Sequence, residues 1–490
     1  MGQYLYGAAV QGIQSFIFQT NELQDIAGAS NLVEEICTTM FDEFGKNEVQ
    51  GESIVRAAGN IKFLFNKKED CEKAVMEFPK KVMEAAPGIT ISQAVVMLED
   101  KEKFDVAVEK LEGRLRTQRN KPMPSVTLGL MSMERNRKTG LPAVDRDGED
   151  YIDMPTKAKK TKRKDLSEKC FGEKIESKRY AFDIEDITGK NDWIAVIHAD
   201  GNGLGKIIER IGHNKKELQK FSPSLDVATK LAAQSAFGSI HPDIKSEKVI
   251  PIRPVVLGGD DFTVICRASI AVKYAEEFIR EFEAQALKQT REKLTCCAGI
   301  AFIKSSFPFY YGYDLAEELC SAAKKASKEE AKKRGLDYTP SSLMFHKVQD
   351  SFVVDYKLIE KRELTPFAGH SWKCGPYYIA KDKNDPDKDI EGLMTTDSLI
   401  TNVKNLEDDD KNVVKSKIRQ WMSAMHESPN FAEQLVRRAM DILSEDSGKM
   451  FKSIISPAYT IKDEKTEKET KYYPAYDILS LYSVINQTTK

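Results

Sequence analysis

The chain contains no C-x-x-C pair, and its eight cysteines, at positions 37, 71, 170, 266, 296, 297, 320 and 374, are scattered. That spacing argues against a cysteine zinc site and reads as reduced packing residues of a cytoplasmic protein. No run of about eighteen apolar residues is present, so no membrane-spanning helix is expected. The opening residues, MGQYLYGAAVQGIQSFIF, lack a basic n-region and a cleavage-like site, so secretion is not indicated. Neither charge dominates: the formal net charge is −2, and the protein as a whole is not built to attract nucleic acid.

What is present is an ordinary globular composition, 41% hydrophobic and 31% charged, over 490 residues. That length allows two to four domains. One local departure is KAKKTKRK at 157–164, inside a polar stretch from about 132 to 192. It reads either as a solvated linker or as a contact for a nucleic-acid backbone, since clustered cations release counterions on binding phosphates.

The first 350 or so residues contain an internal repeat. The second copy runs through strand WIAVIHAD (193–200), a glycine-rich turn and helical sequence to about 240. Strands KVIPIRPVVLGG (248–259) and DFTVICR (261–267), a helix over 269–288 and strand LTCCAGIAFI (294–303) follow. This is the β-α-β-β-α-β order of a ferredoxin-like unit. The first copy repeats it with strands at 4–10, 51–60, 61–66 and 89–98 and a helix near 68–85. Overlaying AAGNIKFLF (57–65) on LGGDDFTVI (257–265) sets Asn60 against Asp260 and Ile61 against Asp261, while Ala9 falls opposite Asp200. The first copy is therefore a degenerate unit, with the skeleton but none of the carboxylates. The expected architecture is α+β: a degenerate ferredoxin-like domain (1–130), a polar linker or small insertion (131–192), a second such domain (193–350) and a C-terminal α-helical domain (351–490).

In such a sheet the first strand lies beside the third, which brings Asp200 to Asp260 and Asp261. Three carboxylates gathered there repel one another unless they share a divalent cation, and Mg²⁺ or Mn²⁺ suits oxygen ligands and phosphates. The following turn, GNGLG (201–205), offers backbone N–H groups ahead of a helix, a cradle for phosphate built by Gly201, Asn202, Gly203 and Leu204. Gly258 and Gly259 permit a tight turn with space above it. On the helix expected over 312–335, Lys324, Lys328 and Lys332 share a face; Lys324 and Lys328 are the residues expected to neutralise a triphosphate. His198, on the same strand face as Asp200, reads as a packing histidine. The combination has the logic of a metal-dependent polymerase or cyclase acting by phosphoryl transfer.

HADGNGLGKI, VLGGDDFTVIC, AGIAF and AEELCSAAKKASK together resemble the palm domain of the type III CRISPR signature large subunit, whose GGDD palm makes cyclic oligoadenylates. LYGAAVQGIQSFIFQTNELQDIAGASNLV (5–33) looks like that family's first, inactive palm. The resemblance covers about 1–350 and implies ATP as substrate. It makes Asp200 and Asp260 metal ligands, in a metal site comprising Asp200, Gly201, Asp260 and Asp261, with Asp261 a second ligand or a support for the attacking hydroxyl. Gly258 and Gly259 would border the nucleotide, and Lys324 would hold its phosphates. Diguanylate cyclases share the palm, but here GGDD replaces their GGDEF. The sequence has no His-Asp dipeptide, so the HD nuclease of many relatives is not expected. MERNRKTGLPAVD (133–145) resembles the surroundings of the family's zinc knuckle without its cysteines, so no zinc is expected. The short length leaves room for a standalone enzyme as well as a subunit of a guide-RNA complex.

Three functions follow. The preferred one converts ATP into cyclic oligoadenylates as an antiviral messenger. The second is a cyclic di- or mononucleotide synthase using GTP or mixed nucleotides. The third is a non-catalytic RNA-binding scaffold among CRISPR effector subunits. Nucleotide triphosphates are the expected partners, RNA and a homodimer stay open, and no membrane is involved.

Overall fold

In a computed structural model, residues 2–42, 51–57, 59–99, 103–121, 129–161, 166–172, 175–188, 193–212, 214–350, 355–380, 388–407, 412–462 and 467–485 are described. The first unit comprises β1 (Gln3–Gln11), α1 (Ile13–Ile17), α2 (Leu23–Glu35), the hairpin β2 (Gly51–Ala57) and β3 (Asn60–Phe65), α3 (Lys68–Ala85) and β4 (Thr90–Leu98). Its sheet has the order β2-β3-β1-β4 and is antiparallel throughout. Apolar residues of β1, Leu5, Tyr6, Ala8 and Ala9, are buried because this strand is flanked on both sides. Helix α4 (Phe104–Arg119) packs on β4 and β1.

The polar stretch that follows is folded where it is described. A short hairpin, β5 (Asp145–Asp147) and β6 (Asp150–Ile152), leads into α5 (Met154–Thr161), which packs on α2. Asn136 donates to Asp153 at 2.9 Å and to the Thr156 hydroxyl at 3.3 Å, and the Thr156 amide donates to Asp153 at 2.7 Å. This buried network ties together the loop in which the sequence shows knuckle-like surroundings. The basic stretch is correspondingly engaged. Lys159 is buried, donating to the Phe16 carbonyl at 2.7 Å and to Gln19 at 3.0 Å, while Lys157 pairs with Asp145 at 2.7 Å and Lys160 with Asp147 at 2.5 Å. A solvated linker is thus not what the described part of 157–164 forms, and its three described lysines already have partners; 162–164 lie outside the described residues.

The second unit comprises β7 (Trp193–Asn202), α6 (Leu204–Ile211), α7 (Lys215–Ile244), the hairpin β8 (Ile252–Gly258) and β9 (Asp261–Arg267), α8 (Ala268–Thr290), β10 (Thr295–Lys304), α9 (Phe309–Arg334) and β11 (Ser342–Lys347). Its core strands order as β8-β9-β7-β10, the same order as in the first unit. The strand register moves the overlay of the two copies by one residue. Ala9 pairs with Asn60, as Asp200 pairs with Asp261. Asn60 therefore corresponds to Asp261, and Gly59 to Asp260. A cross-strand bond repeats as well: the Val10 amide donates to the Gly59 carbonyl at 2.8 Å, and the Gly201 amide to the Asp260 carbonyl at 3.3 Å.

The remainder is mainly helical, with α10 (Tyr356–Arg362), α11 (Thr396–Lys404), α12 (Asn412–Glu427), α13 (Pro429–Ile442), α14 (Glu445–Ile455) and α15 (Ala475–Ile485). It is neither purely α-helical nor detached. Strands β12 (His370–Ser371), β14 (Tyr459–Lys462) and β15 (Glu469–Tyr472) form a small sheet, and β13 (Tyr377–Tyr378) extends the second sheet beside β11. Strands of two to four residues carry no readable alternation, which hid them in the sequence. Helix α15 packs on α8 and β11, and Asp477 within it accepts from the Tyr377 hydroxyl at 2.6 Å. No helix among the described residues is long and apolar enough to cross a membrane.

Candidate active site

Alternation along the strands decides which side chains meet. Phe262, one residue after Asp261, stacks on Phe278 of α8 with ring centroids 4.2 Å apart. Asp200, Asp261, His198 and Thr263 lie on the opposite face, which α9 covers: His198 meets the ring of Tyr313, a residue of α9. Asp200 and Asp261 are direct cross-strand partners, a pairing of like charges that costs stability in an antiparallel sheet. Asp260 occupies the turn itself, where a Cβ on Gly201 would stand 2.8 Å from the Cβ of Asp260. Gly201 thus lets the turn carboxylate approach β7.

The electrostatics follow from this crowding. Burial first, then the charge of Asp200, pushes Asp260 up to about 7. Burial, Asp200 and Glu317 likewise push Asp261 up to about 7. One oxygen of Asp261, Oδ1, is buried with no hydrogen-bond partner, and the His198 Nδ1 stands 3.5 Å from it. His198 itself is buried, bonded to the Thr263 hydroxyl at 3.0 Å, and burial lowers its pKa, so it stays neutral.

Lys324 reaches this edge from α9. Its ammonium bonds to Asp200 and donates to the Gly201 carbonyl at 3.0 Å. Burial works against its charge, but Asp200 more than compensates and its pKa is raised. Lys328 lies one turn further along α9 and is exposed. The phosphate cradle is narrower than the sequence implied. Strand β7 continues through Asn202, the Gly201 amide is taken by Asp260, and Asn202 turns inward to donate to Thr295 at 3.1 Å and the Cys297 Sγ at 3.3 Å. The ladder to β10 holds these two residues, because Gly201 and Asn202 pair with Cys296 and Thr295. What remains is Gly203, with a left-handed φ of 79°, and Leu204 at the start of α6.

Among the described residues, no three His, Cys, Asp or Glu side chains are arranged to close around a metal ion. Asp200 stands between the other two carboxylates, in reach of Asp260 at the turn and paired across the strands with Asp261. The donor set nevertheless fits a hard divalent cation. It consists of carboxylate and carbonyl oxygens, one of them orphaned, and a cation in the form of the Lys324 ammonium already rests on Asp200 and Gly201. Mg²⁺ is commonly held by one or two carboxylates, with waters and phosphates completing its shell.

Sequence reasoning missed residues that come from a distance. Gln14, at α1 of the first unit, donates to the Tyr313 hydroxyl at 3.0 Å and to Glu317 at 3.1 Å, bridging the two units beside Asp261. The Asn21 side chain accepts from the Phe309 amide at 3.1 Å, fixing the start of α9. Between the units lies a cleft of about 580 Å³, lined on one side by Val10, Ile13 and Gly59 and on the other by Leu257, Gly258 and Asp261. Tyr310, Lys169 and Lys230 also line it. That volume is ordinary for a small-molecule site.

Residues 193–333 match the family described as Cas10/Cmr2, second palm domain. No curated protein matches the chain. Among solved structures, the Csm1-Csm4 cassette in complex with cA4 is similar with a TM-score of 0.55 at 14% identity, covering 99% of this chain and 69% of that chain. The cassette in complex with one ATP has a TM-score of 0.54 at the same 14% identity and the same 99% and 69% coverage. The Csm1-Csm4 subcomplex in the type III-A CRISPR-Csm interference complex gives identical figures, 0.54, 14%, 99% and 69%. Identity this low speaks for the fold. Residues 193–333, which carry the GGDD turn, thus match a Cas10/Cmr2 second palm domain, and the chain as a whole shares the fold of the Csm1-Csm4 structures.

Proposed function

We propose that the protein is a metal-dependent nucleotidyltransferase that joins ATP into 3′–5′ linked, cyclic oligoadenylates with release of pyrophosphate, in type III CRISPR or related antiviral defence. The observation that carries this reading is the pairing of Asp200 with Asp261, beside Asp260, in a hairpin whose first copy does without all three. A fold that needs no carboxylates there gains nothing from them except a site.

Asp200, Asp260 and Asp261, with the Gly201 carbonyl, would hold Mg²⁺ or Mn²⁺. When bound, the ion supplies charge neutralisation between phosphates and carboxylates and acidifies a 3′-hydroxyl. The chain's own residues do the rest. Lys324 transfers its charge from Asp200 to the triphosphate, and Lys328 extends the positive face of α9. Gly203 and the first amides of α6 receive a phosphate oxygen. Gly258 and Gly259 keep the floor of the site open to a nucleotide. The cleft between the units, with Asp261 and Gly258 in its lining, is the place for a nucleotide. The likeness to Csm1 supports effector subunits as partners. Lys159 is taken up in the fold, bonded to the Phe16 carbonyl, so it lends no support to an RNA-binding scaffold.

The test is to incubate purified protein with ATP and Mg²⁺ or Mn²⁺ and follow pyrophosphate and product mass. Wild-type protein should release both pyrophosphate and a cyclic product, and D260A/D261A neither; equal product from the variant would sink the assignment. Running GTP, CTP and UTP alongside separates an oligoadenylate synthase from one using GTP or mixed substrates.

A further inference from the structure

The GGDD turn is gripped from behind by one helix. Gly259 has a left-handed φ of 62°. Its amide donates to the Asp226 Oδ1 at 2.6 Å, and its carbonyl accepts from the Thr229 hydroxyl. Asp226 and Thr229 are three residues apart on α7, so both project from the same helical face toward the turn. Thr229 is fully buried, and its hydroxyl is shared with the Leu225 carbonyl at 3.1 Å. Both backbone polar groups of a single residue are thereby held by two side chains. The Gly259 carbonyl belongs to the peptide that carries the Asp260 nitrogen. Holding it sets the plane from which Asp260 departs, while the bond from the Gly201 amide to the Asp260 carbonyl sets the far side.

We propose that Asp226 and Thr229 are positioning residues: a two-point clamp on Gly259 that aims Asp260 at Asp200 for nucleotidyl transfer. The catalytic consequence rests on the function proposed above; the clamp itself does not. Neither residue belongs to the GGDD or DGNG motifs, and both precede the turn by about thirty positions. Glycine is the residue least able to hold its own conformation, so a turn that must present a carboxylate reproducibly gains most from outside restraint. Misplacement of a reacting group by about 1 Å can cost up to a hundredfold in rate.

The variants are Thr229→Val and Thr229→Ser, and Asp226→Leu and Asp226→Asn. Valine and leucine remove the grip while keeping the branching of the side chain, whereas serine keeps the donor and asparagine keeps an acceptor. The expected result for T229V and D226L is a kcat lower by about tenfold or more, with KM for ATP within about twofold and Tm within a few degrees. T229S and D226N should restore most of the rate. A KM rise without a kcat loss would overturn the proposal in favour of substrate contact, and so would equal losses in the serine and valine variants. Hydrogen exchange of the hairpin 255–263 in the same proteins gives a readout independent of turnover. Faster exchange in T229V and D226L supports the clamp, and unchanged exchange refutes it. Were wild-type protein to turn over no nucleotide, the proposed function would fall while exchange still decided the clamp.

Discussion

The two hairpins, 51–65 and 252–267, are built alike and equipped differently. Each enters its third strand beside its first, each closes the turn with an amide from the first strand, and each carries a left-handed glycine. In the first, Ala9 faces Asn60; in the second, Asp200 faces Asp261. The first copy shows that the frame stands without carboxylates. The second accepts like-charge repulsion and two aspartates near 7, a cost that folding does not require. Under the proposed function, their use lies in the chemistry.

The sharpest way to break the comparison is to give the second hairpin the residues of the first, as D260G/D261N. Product formation should fall by at least about a hundredfold, the scale of losing a principal charge-stabilising group. The variant should keep its fold by circular dichroism, and a chain that unfolded instead would mean the carboxylates are structural. Next in size is K324A, which removes the cation from Asp200 and from the expected triphosphate. We expect kcat/KM for ATP to drop about ten- to a hundredfold, and steady-state kinetics with K324R, which keeps a charge, should show a smaller loss.

Smaller is the effect of separating the units with Q14L, which deletes both bonds to Tyr313 and Glu317. At about 1 kcal/mol per bond, a Tm lower by a few degrees and a rate loss of several-fold are expected, read by calorimetry and turnover. Smallest is a pH signature in metal-free protein. Asp260 and Asp261 are raised in the folded chain, which therefore holds more protons than the unfolded chain between the ordinary carboxylate range and about 7. Their contribution to stability is present in acid and lost as pH rises through that window. Tm of the D260N/D261N protein should decline less than that of wild type between about pH 5 and 7.5. Parallel curves would remove the crowding of charges from the account.

Much of this was legible along the chain. Short apolar runs separated by turns marked the strands of both units, and the doubling of the β-α-β-β-α-β order made the missing carboxylates of the first copy informative. The reading failed where direction mattered. Asn202 sits in a phosphate-like turn by sequence, yet the ladder to β10 carries it into the sheet edge. The hairpin overlay slipped by one residue, because Gly59 and Gly259 sit at different places in their turns. The basic stretch read as a solvated linker or a contact for a nucleic-acid backbone, although Lys159 is among the larger buried side chains.

The sequence by itself determined the repeat, the two hairpins and the carboxylates confined to one of them, because strand alternation and turn residues are local properties. Only the tertiary structure decided which groups answer those carboxylates. Lys324 on Asp200, Gln14 across from Glu317, and Asp226 with Thr229 behind Gly259 come from elements 30 to 303 residues away. No local pattern records which side chain will face which after the helices pack.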